Sequence, residues 1–140
     1  MPTVVYQTGV PILAGDWVRV LSPTRGVWHH GIVRRLVPLW DGGIAVEIAN
    51  NVKLGGVSIS DWHVFADGQE IILHRRAPAD QVPQILRRSD ASLGERYSLL
   101  TQNCEHFASY AFTGVAESKM VNGVGVLVTA VVLLSLIVSG

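Results

Sequence analysis

The sequence predicts an α+β fold in which an antiparallel sheet packs on helices, with a further hydrophobic helix at the C-terminus. Between residues 11 and 74, short segments rich in β-branched and aromatic residues alternate with Gly, Pro and Asp turn signals. Apolar residues at helical spacing begin only after Pro78. Residues 120–140 contain no charged residue and are mostly apolar.

The first half of the chain contains five predicted strands. They cover residues 15–20, 27–36, 44–49, 57–59 and 70–74, with a helical turn over residues 61–66. Turn signals at residues 22–26 and 38–43 separate the first three strands. The alternation of apolar and polar residues predicts a sheet with one covered face.

A first helix is predicted after Pro78. Val82, Ile85 and Leu86 fall at helical spacing, so they are expected to pack on the sheet. This arrangement leaves the adjacent pair Arg87 and Arg88 exposed.

A second helix is predicted to run from about Cys104 to Phe112. Thr101 or Asn103 is a suitable N-cap, and Gly114 is a suitable stop. The N–H groups and positive dipole end of a helix N-terminus lower the pKa of a thiol and can form an oxyanion hole. We therefore expect Cys104 to lie in an activating environment.

Composition limits the possible functions. A chain of 140 residues forms one domain of ordinary size, and its formal net charge of zero gives no electrostatic footprint for nucleic acid. The single cysteine excludes an intrachain disulfide framework. Because no CxxC pair or i, i+4 histidine pair is present, we expect no metal and no cofactor.

The strongest chemical signal is the segment Asn-Cys-Glu-His-Phe at residues 103–107, together with His29 and His30 upstream. One thiol with distant histidines fits a Cys/His acyl-transfer centre, in which the imidazole manages the proton of the attacking sulfur. The alternative is that Cys104 is a small buried apolar residue without chemistry. Adjacent residues of a strand point to opposite faces, so only one of the two histidines can face Cys104.

These features resemble the lecithin:retinol acyltransferase-like family, which includes the HRAS-like suppressor phospholipases and acyltransferases. The resemblance spans residues 10–120 approximately. Its pieces are Gly-Asp-Trp-Val-Arg-Val at 15–20, His-His-Gly-Ile-Val at 29–33, Gly-Gly-Val at 55–57, Phe-Ala-Asp-Gly-Gln at 65–69 and Tyr-Ser-Leu-Leu-Thr-Gln-Asn-Cys-Glu-His-Phe-Ala at 97–108. It implies a circularly permuted NlpC/P60 (papain-like) fold over residues 1–118.

The resemblance also implies the site residues. Cys104 is the nucleophile and His29 the base, since the family's histidine lies two residues before a Gly or Ala, here Gly31. Many members carry a second histidine on the next strand. Our preferred alignment places Glu47 there, where a carboxylate would accept from the imidazole N–H. A second alignment reaches Ala49, which lies beside Asn50 and Asn51. A third interpretation leaves this position without a catalytic role.

The activity that the resemblance implies is thiol-dependent cleavage of an acyl ester in a phospholipid. The acyl chain then passes to water, as in a phospholipase A, or to an amine or alcohol acceptor, as in an acyltransferase. Two alternatives remain open. One is an NlpC/P60-type cysteine peptidase or amidase, and the other is a membrane-tethered interaction module without catalysis.

Residues 119–140 are interpreted as a C-terminal membrane anchor. About 20 apolar residues at 1.5 Å rise match a hydrocarbon core of roughly 30 Å, and the segment raises the mean hydropathy of the chain to +0.34. The alternative is a buried core helix. Lys119 and the arginines upstream favour a catalytic domain that faces the cytoplasm, because positively charged residues beside a membrane segment tend to remain on the cytoplasmic side. The N-terminal residues do not show the pattern of a signal peptide.

Overall fold

A computed structural model describes residues 4–24, 26–97 and 103–116. The elements are β1 Trp17–Leu21, β2 Trp28–Pro38, β3 Ile44–Val52, β4 Gly56–Asp61, α1 Trp62–Ala66, β5 Ile72–Arg75, a 3₁₀ turn Ala79–Gln81, α2 Val82–Ala91 and α3 Cys104–Thr113. The five strands form one sheet in the order β4-β3-β2-β1-β5, and all neighbours are antiparallel. The predicted α+β class with an antiparallel sheet is therefore confirmed.

The predicted C-terminal hydrophobic helix and anchor, residues 119–140, lie outside the described residues. Of the helices within the described ranges, none is both long and apolar enough to cross a membrane.

Both faces of the sheet are covered, whereas the sequence predicted one. Strand alternation sends apolar side chains to each side. The first core cluster joins the sheet to α1 and the N-terminal segment, and it contains Tyr6, Ile12, Val18, Val20, Val33, Val46, Ile48, Phe65, Ala66 and Ile71. The second joins the sheet to α2 and α3, and it contains Trp17, Ile32, Ala49, Val57, Ile85, Phe107, Ala108, Ala111 and Phe112.

Asp16 ties the N-terminal segment to the sheet. Its carboxylate is only 1% exposed and accepts hydrogen bonds from the Tyr6 hydroxyl at 2.7 Å, the Leu13 N–H at 3.0 Å and Arg76 Nη2 at 2.9 Å. A buried carboxylate requires such partners. Burial, reinforced by the hydrogen bond to Asp16, raises the pKa of Tyr6. The Gly15-Asp16 pair is thus a structural feature.

Helix α2 packs through Ile85, which is fully buried. The expectation that both following arginines are exposed is wrong for Arg88. Its guanidinium donates to the carbonyls of Ala111 at 2.9 Å and Phe112 at 3.2 Å. Carbonyls in the last turn of a helix lack intrahelical donors, so Arg88 satisfies the end of α3 and joins the two helices.

Gly31 in the middle of β2 allows β3 and α1 to approach closely. A Cβ at this position would lie 2.6 Å from Ile48 Cγ2 and 2.7 Å from Phe65 Cε2. Gly31 pairs with Asn50 of β3. The absence of a side chain therefore sets the packing directly beside both histidines.

Replacing Gly31 by alanine is expected to lower the free energy of unfolding by about 1–3 kcal/mol, because the added methyl overpacks the core. Urea unfolding followed by tryptophan fluorescence measures the change. Gly43→Ala is the matched control: this glycine lies in the exposed β2–β3 loop, where the added Cβ meets the movable side chains of Asp41 at 3.1 Å and Leu39 at 3.7 Å. Equal stability of the two variants would contradict the packing argument.

Candidate active site

A cavity of about 420 Å³ opens at the end of the sheet where β2 begins and β3 ends. Both His29 and Cys104 line it. The remaining lining residues are Val20, Leu21, Ser22, Pro23, Val27, Trp28, Asn50, Asn51, Val52, Lys53, Ser60, Val64, Phe65, Ala66, Asp67 and Tyr97. Most of these residues are aliphatic or aromatic, and the polar ones are Ser22, Asn50, Asn51, Lys53, Ser60 and Asp67.

His29 is half-buried and its ring orientation is fixed from two sides. The ring lies against Phe65 with centroids 5.1 Å apart, and Nε2 lies 3.0 Å from Asn50 Oδ1. The Asn50 amide nitrogen is engaged separately, donating to Ser60 Oγ at 3.0 Å and to the Ile48 carbonyl at 3.3 Å.

These contacts determine the tautomer of His29. Asn50 Nδ2 is oriented towards acceptors, so the amide oxygen is the atom that faces the imidazole. An amide oxygen only accepts, which means that His29 Nε2 carries the proton and donates it. The lone pair that can act as a base is therefore on Nδ1.

His30 points to the opposite face, as the period of a strand requires. Its Nδ1 accepts from Trp17 Nε1 at 2.9 Å, and its Nε2 lies 3.4 Å from Glu105 Oε2. Because Nδ1 accepts, Nε2 carries the proton that is shared with the carboxylate. The side chain of His30 thus binds the residue that follows Cys104, on the first turn of α3.

Cys104 is the first residue of α3 and is 6% exposed. Its sulfur lies 3.8 Å from the Trp28 carbonyl oxygen, to which the thiol donates. Strand β2 therefore supplies a main-chain acceptor to the thiol, and the nearby backbone N–H of His30 acts to lower the pKa of Cys104.

Asn103 caps the helix that begins at Cys104. Its side chain accepts from the His106 N–H at 2.9 Å, and its carbonyl accepts from the Phe107 N–H at 3.0 Å. The N–H groups of Cys104 and Glu105, at the first turn of the same helix, act to lower the pKa of the Cys104 thiol. They are candidates for an oxyanion hole. Asn51 Nδ2 donates to the Asn103 carbonyl at 3.4 Å and joins the helix start to β3.

The pKa of the Cys104 thiol is raised, which is the reverse of the expected lowering at a helix N-terminus. Burial is the largest cause, and the negative charge of Glu105 adds to it. The N–H groups of His30, Glu105 and Cys104 act in the opposite direction. Desolvation penalises the thiolate more than these donors stabilise it, so the resting sulfur is a neutral thiol.

Glu47 lies away from His29. A β-bulge between Val33 and Arg35 sets two arginines opposite this carboxylate. Arg35 Nε donates to it at 2.7 Å and Arg34 Nη1 at 3.3 Å. The residue that the structure brings to His29 is Asn50, which is the neighbour of Ala49, the residue that the second alignment reached.

Sequence reasoning missed three contributors to the site. Phe65 positions the His29 ring, while Trp17 and Glu105 hold His30. The alternation of side chains along β2 gave a partial indication of the contacts of His30, because it places His30 on the face of the sheet that the helices cover. In the part of the chain that the structure describes, no three His, Cys, Asp or Glu side chains form a metal-binding group.

Residues 41–117 match the family model described as lecithin retinol acyltransferase. The match covers more than half of the chain and includes Asn50 and Cys104, while His29 precedes it. The protein therefore belongs to the lecithin retinol acyltransferase family, whose activity is in general of the acyltransferase or phospholipase type. Searches of curated proteins and of solved structures find no match.

The raised pKa of Cys104 predicts slow alkylation at neutral pH. We expect the rate with iodoacetamide to rise with pH and to reach half its maximum above 9.0, the ordinary value for the thiol. Mass spectrometry of the full chain measures the rate, since Cys104 is its only cysteine. A midpoint below about pH 7 would instead indicate a thiolate stabilised as an ion pair.

Glu105→Gln is expected to shift this profile to lower pH. Removing the carboxylate removes a charge that raises the pKa of Cys104, so alkylation at a fixed pH becomes several times faster. Glu47→Gln is the matched control, because its carboxylate is held by Arg34 and Arg35. An identical shift in both variants would contradict a local effect of Glu105.

Proposed function

We propose that the protein is a thiol-dependent phospholipase A or acyltransferase that cleaves an acyl ester of glycerophospholipids through a Cys104 acyl-thioester. The observation that supports this proposal most directly is that Cys104 and His29 line one mainly apolar cavity. Family membership supports the reaction type. An apolar cavity suits an acyl chain, because burying methylene groups is favourable.

In the first half-reaction, His29 Nδ1 takes the proton of the Cys104 thiol as the sulfur attacks the ester carbonyl carbon. A C–S bond forms, and the carbonyl electrons move to the oxygen. Collapse of this intermediate breaks the ester C–O bond, and the imidazolium returns its proton to the departing lysophospholipid oxygen. General-base attack fits a neutral resting thiol, because the sulfur then loses its proton only as it attacks.

In the second half-reaction, His29 Nδ1 removes a proton from water, an amine or an alcohol as that acceptor attacks the thioester. The C–S bond breaks and the Cys104 thiol is regenerated. Asn50 supports both steps, since its amide oxygen holds His29 Nε2–H and stabilises the imidazolium that forms transiently. The N–H groups of Cys104 and Glu105 would receive the developing oxyanion.

The order of the elements supports a circularly permuted NlpC/P60 arrangement, because the strand with the base precedes the nucleophile helix in the chain. We assign residues 1–118 to the catalytic domain and residues 119–140 to a membrane anchor that holds the domain on the cytoplasmic side. An anchored enzyme meets its substrate within the plane of the bilayer, which suits a lipid ester.

A second candidate is a membrane-tethered interaction module without catalysis. The observation that favours it is the burial of Cys104 and the raised pKa of its thiol, since buried structural cysteines are inert. The two proposals differ in whether the sulfur becomes acylated.

Incubation of the full chain with phosphatidylcholine vesicles is expected to add the mass of one acyl chain to the wild-type protein and none to Cys104→Ala. Intact-mass analysis at early times measures the adduct. Hydroxylamine should remove it, because thioesters are cleaved by that nucleophile. Phospholipid cleavage by the Cys104→Ala variant would contradict the assignment, and a wild type without adduct or turnover would favour the interaction module.

His29→Gln is expected to reduce phospholipid turnover by at least about a hundredfold, the scale of general acid–base catalysis. His63→Gln, which alters an exposed histidine on α1, is the matched control and should leave turnover unchanged. Mass-spectrometric detection of the released lysophospholipid gives the rate.

Asn50→Ala is expected to lower turnover on the order of tenfold, because a misoriented imidazole still carries a basic nitrogen. Asn50→His should restore part of the rate, since an imidazole can also partner His29. Glu47→Gln on the same strand should have little effect. A larger loss of turnover in Glu47→Gln than in Asn50→Ala would indicate that Glu47, and not Asn50, is the residue that supports His29.

A further inference from the structure

We propose that the mouth of the active-site cavity docks directly on the surface of a phospholipid bilayer through three exposed apolar side chains. These side chains are Leu21, Leu54 and Val64, and we call them the apolar rim. The proposal rests on the proposed function, which places the substrate in a bilayer. It assigns to the described domain a membrane contact distinct from residues 119–140.

Two residues of the apolar rim line the cavity, and the third, Leu54, follows a residue that lines it. Leu21 at the end of β1 is 42% exposed and Val64 on α1 is 68% exposed, and both line the cavity. Leu54 is fully exposed at the tip of the β3–β4 hairpin. Its neighbour Lys53 lines the same cavity.

Exposure of these residues is unfavourable in water. A fully exposed leucine at a hairpin tip adds nothing to the core, while its contact with hydrocarbon would remove apolar surface from water. Exposed apolar side chains grouped at one site mark a contact surface. Here they border the opening that the acyl ester of a lipid has to enter.

The charges at the mouth fit a zwitterionic bilayer surface. Lys53 and Asp67 both line the cavity and carry opposite charges. A cation suits the phosphate of a lipid head group, and an anion suits its ammonium group. This pairing predicts docking that depends on apolar insertion and changes little with salt.

Trp40 is the alternative candidate for the residue that contacts the bilayer. It is fully exposed on the β2–β3 hairpin, and exposed tryptophans are common anchors at membrane interfaces. Trp40 lies just beyond the end of β2, whereas the cavity adjoins the start of this strand, and the strand Trp28–Pro38 is about 33 Å long. Continuity with the cavity favours the apolar rim over the Trp40 hairpin.

Site-specific labelling tests this proposal without requiring catalysis. In a full-length Cys104→Ala background, Leu54→Cys, Val64→Cys or Trp40→Cys provides the only thiol for a nitrobenzoxadiazole fluorophore. Each labelled protein is reconstituted in phosphatidylcholine vesicles with and without phosphatidylcholine that carries a doxyl quencher on its acyl chain. We expect the labels at positions 54 and 64 to be quenched several times more than the label at position 40.

Three outcomes would overturn the apolar rim as a bilayer contact. Equal quenching at all positions would show no preferred orientation, and quenching at position 40 alone would assign the contact to the Trp40 hairpin. A label at position 54 with blue-shifted emission but no quenching would show that protein covers the rim, either residues 117–140 or a second copy of the chain.

A turnover measurement separates this proposal from the proposed function. In the active protein, Leu54→Asp should cut turnover of vesicle phosphatidylcholine by about tenfold, the loss expected when one leucine no longer inserts. Turnover of a monomeric short-chain phosphatidylcholine should be unchanged, and Trp40→Asp should leave both rates unchanged.

The two proposals can therefore fail separately. Equal loss on both substrates in Leu54→Asp would overturn the docking role, because the change would then act on the site itself. A wild type inactive on both substrates would refute the proposed function, while the labels would still report whether the rim contacts the bilayer.

Discussion

The close packing around Gly31 is the constraint on which the rest of the site depends. Because this residue has no side chain, Ile48 and Phe65 approach to within 2.6 and 2.7 Å of the position that a Cβ would take, and the residue pairs with Asn50. The same register places Asn50 within hydrogen-bond distance of His29. Strand alternation then sends His30 to the other face, where it holds the first turn of α3. One strand thus positions both the candidate base and the candidate nucleophile.

Much of this arrangement could be predicted from the sequence. The strand segments and the two helices follow from local patterns, and the segment around Cys104 identified the family. The two-residue step from His29 to Gly31 selected the histidine that lines the cavity. The preferred alignment chose Glu47 for the third position, whereas the structure brings Asn50 to His29. No sequence pattern marked the β-bulge in β2 that sets Arg34 and Arg35 opposite Glu47, whose carboxylate they hold.

The raised pKa of Cys104 shows why its position at a helix N-terminus was not sufficient to predict its protonation. A helix N-terminus stabilises a thiolate, and three N–H groups do act on this sulfur. Burial outweighs them, and burial is a property of the whole fold, set by the packing of α3 against β2 and β3. Arg88 gives a second example. An arginine on a helix is usually solvated, but this one reaches the final carbonyls of a neighbouring helix that only the tertiary structure brings near.

The burial of Cys104 also bears on how the sulfur withstands oxidants. Peroxide reacts with thiolates and with accessible sulfur, and it converts them stepwise to sulfenic and then irreversible sulfinic acids. A protonated thiol that is 6% exposed is a poor target for this chemistry. Cysteines that act as redox sensors have the opposite character, being acidic and solvent-accessible. The burial of Cys104 and the raised pKa of its thiol therefore favour slow oxidation of the only cysteine in the chain.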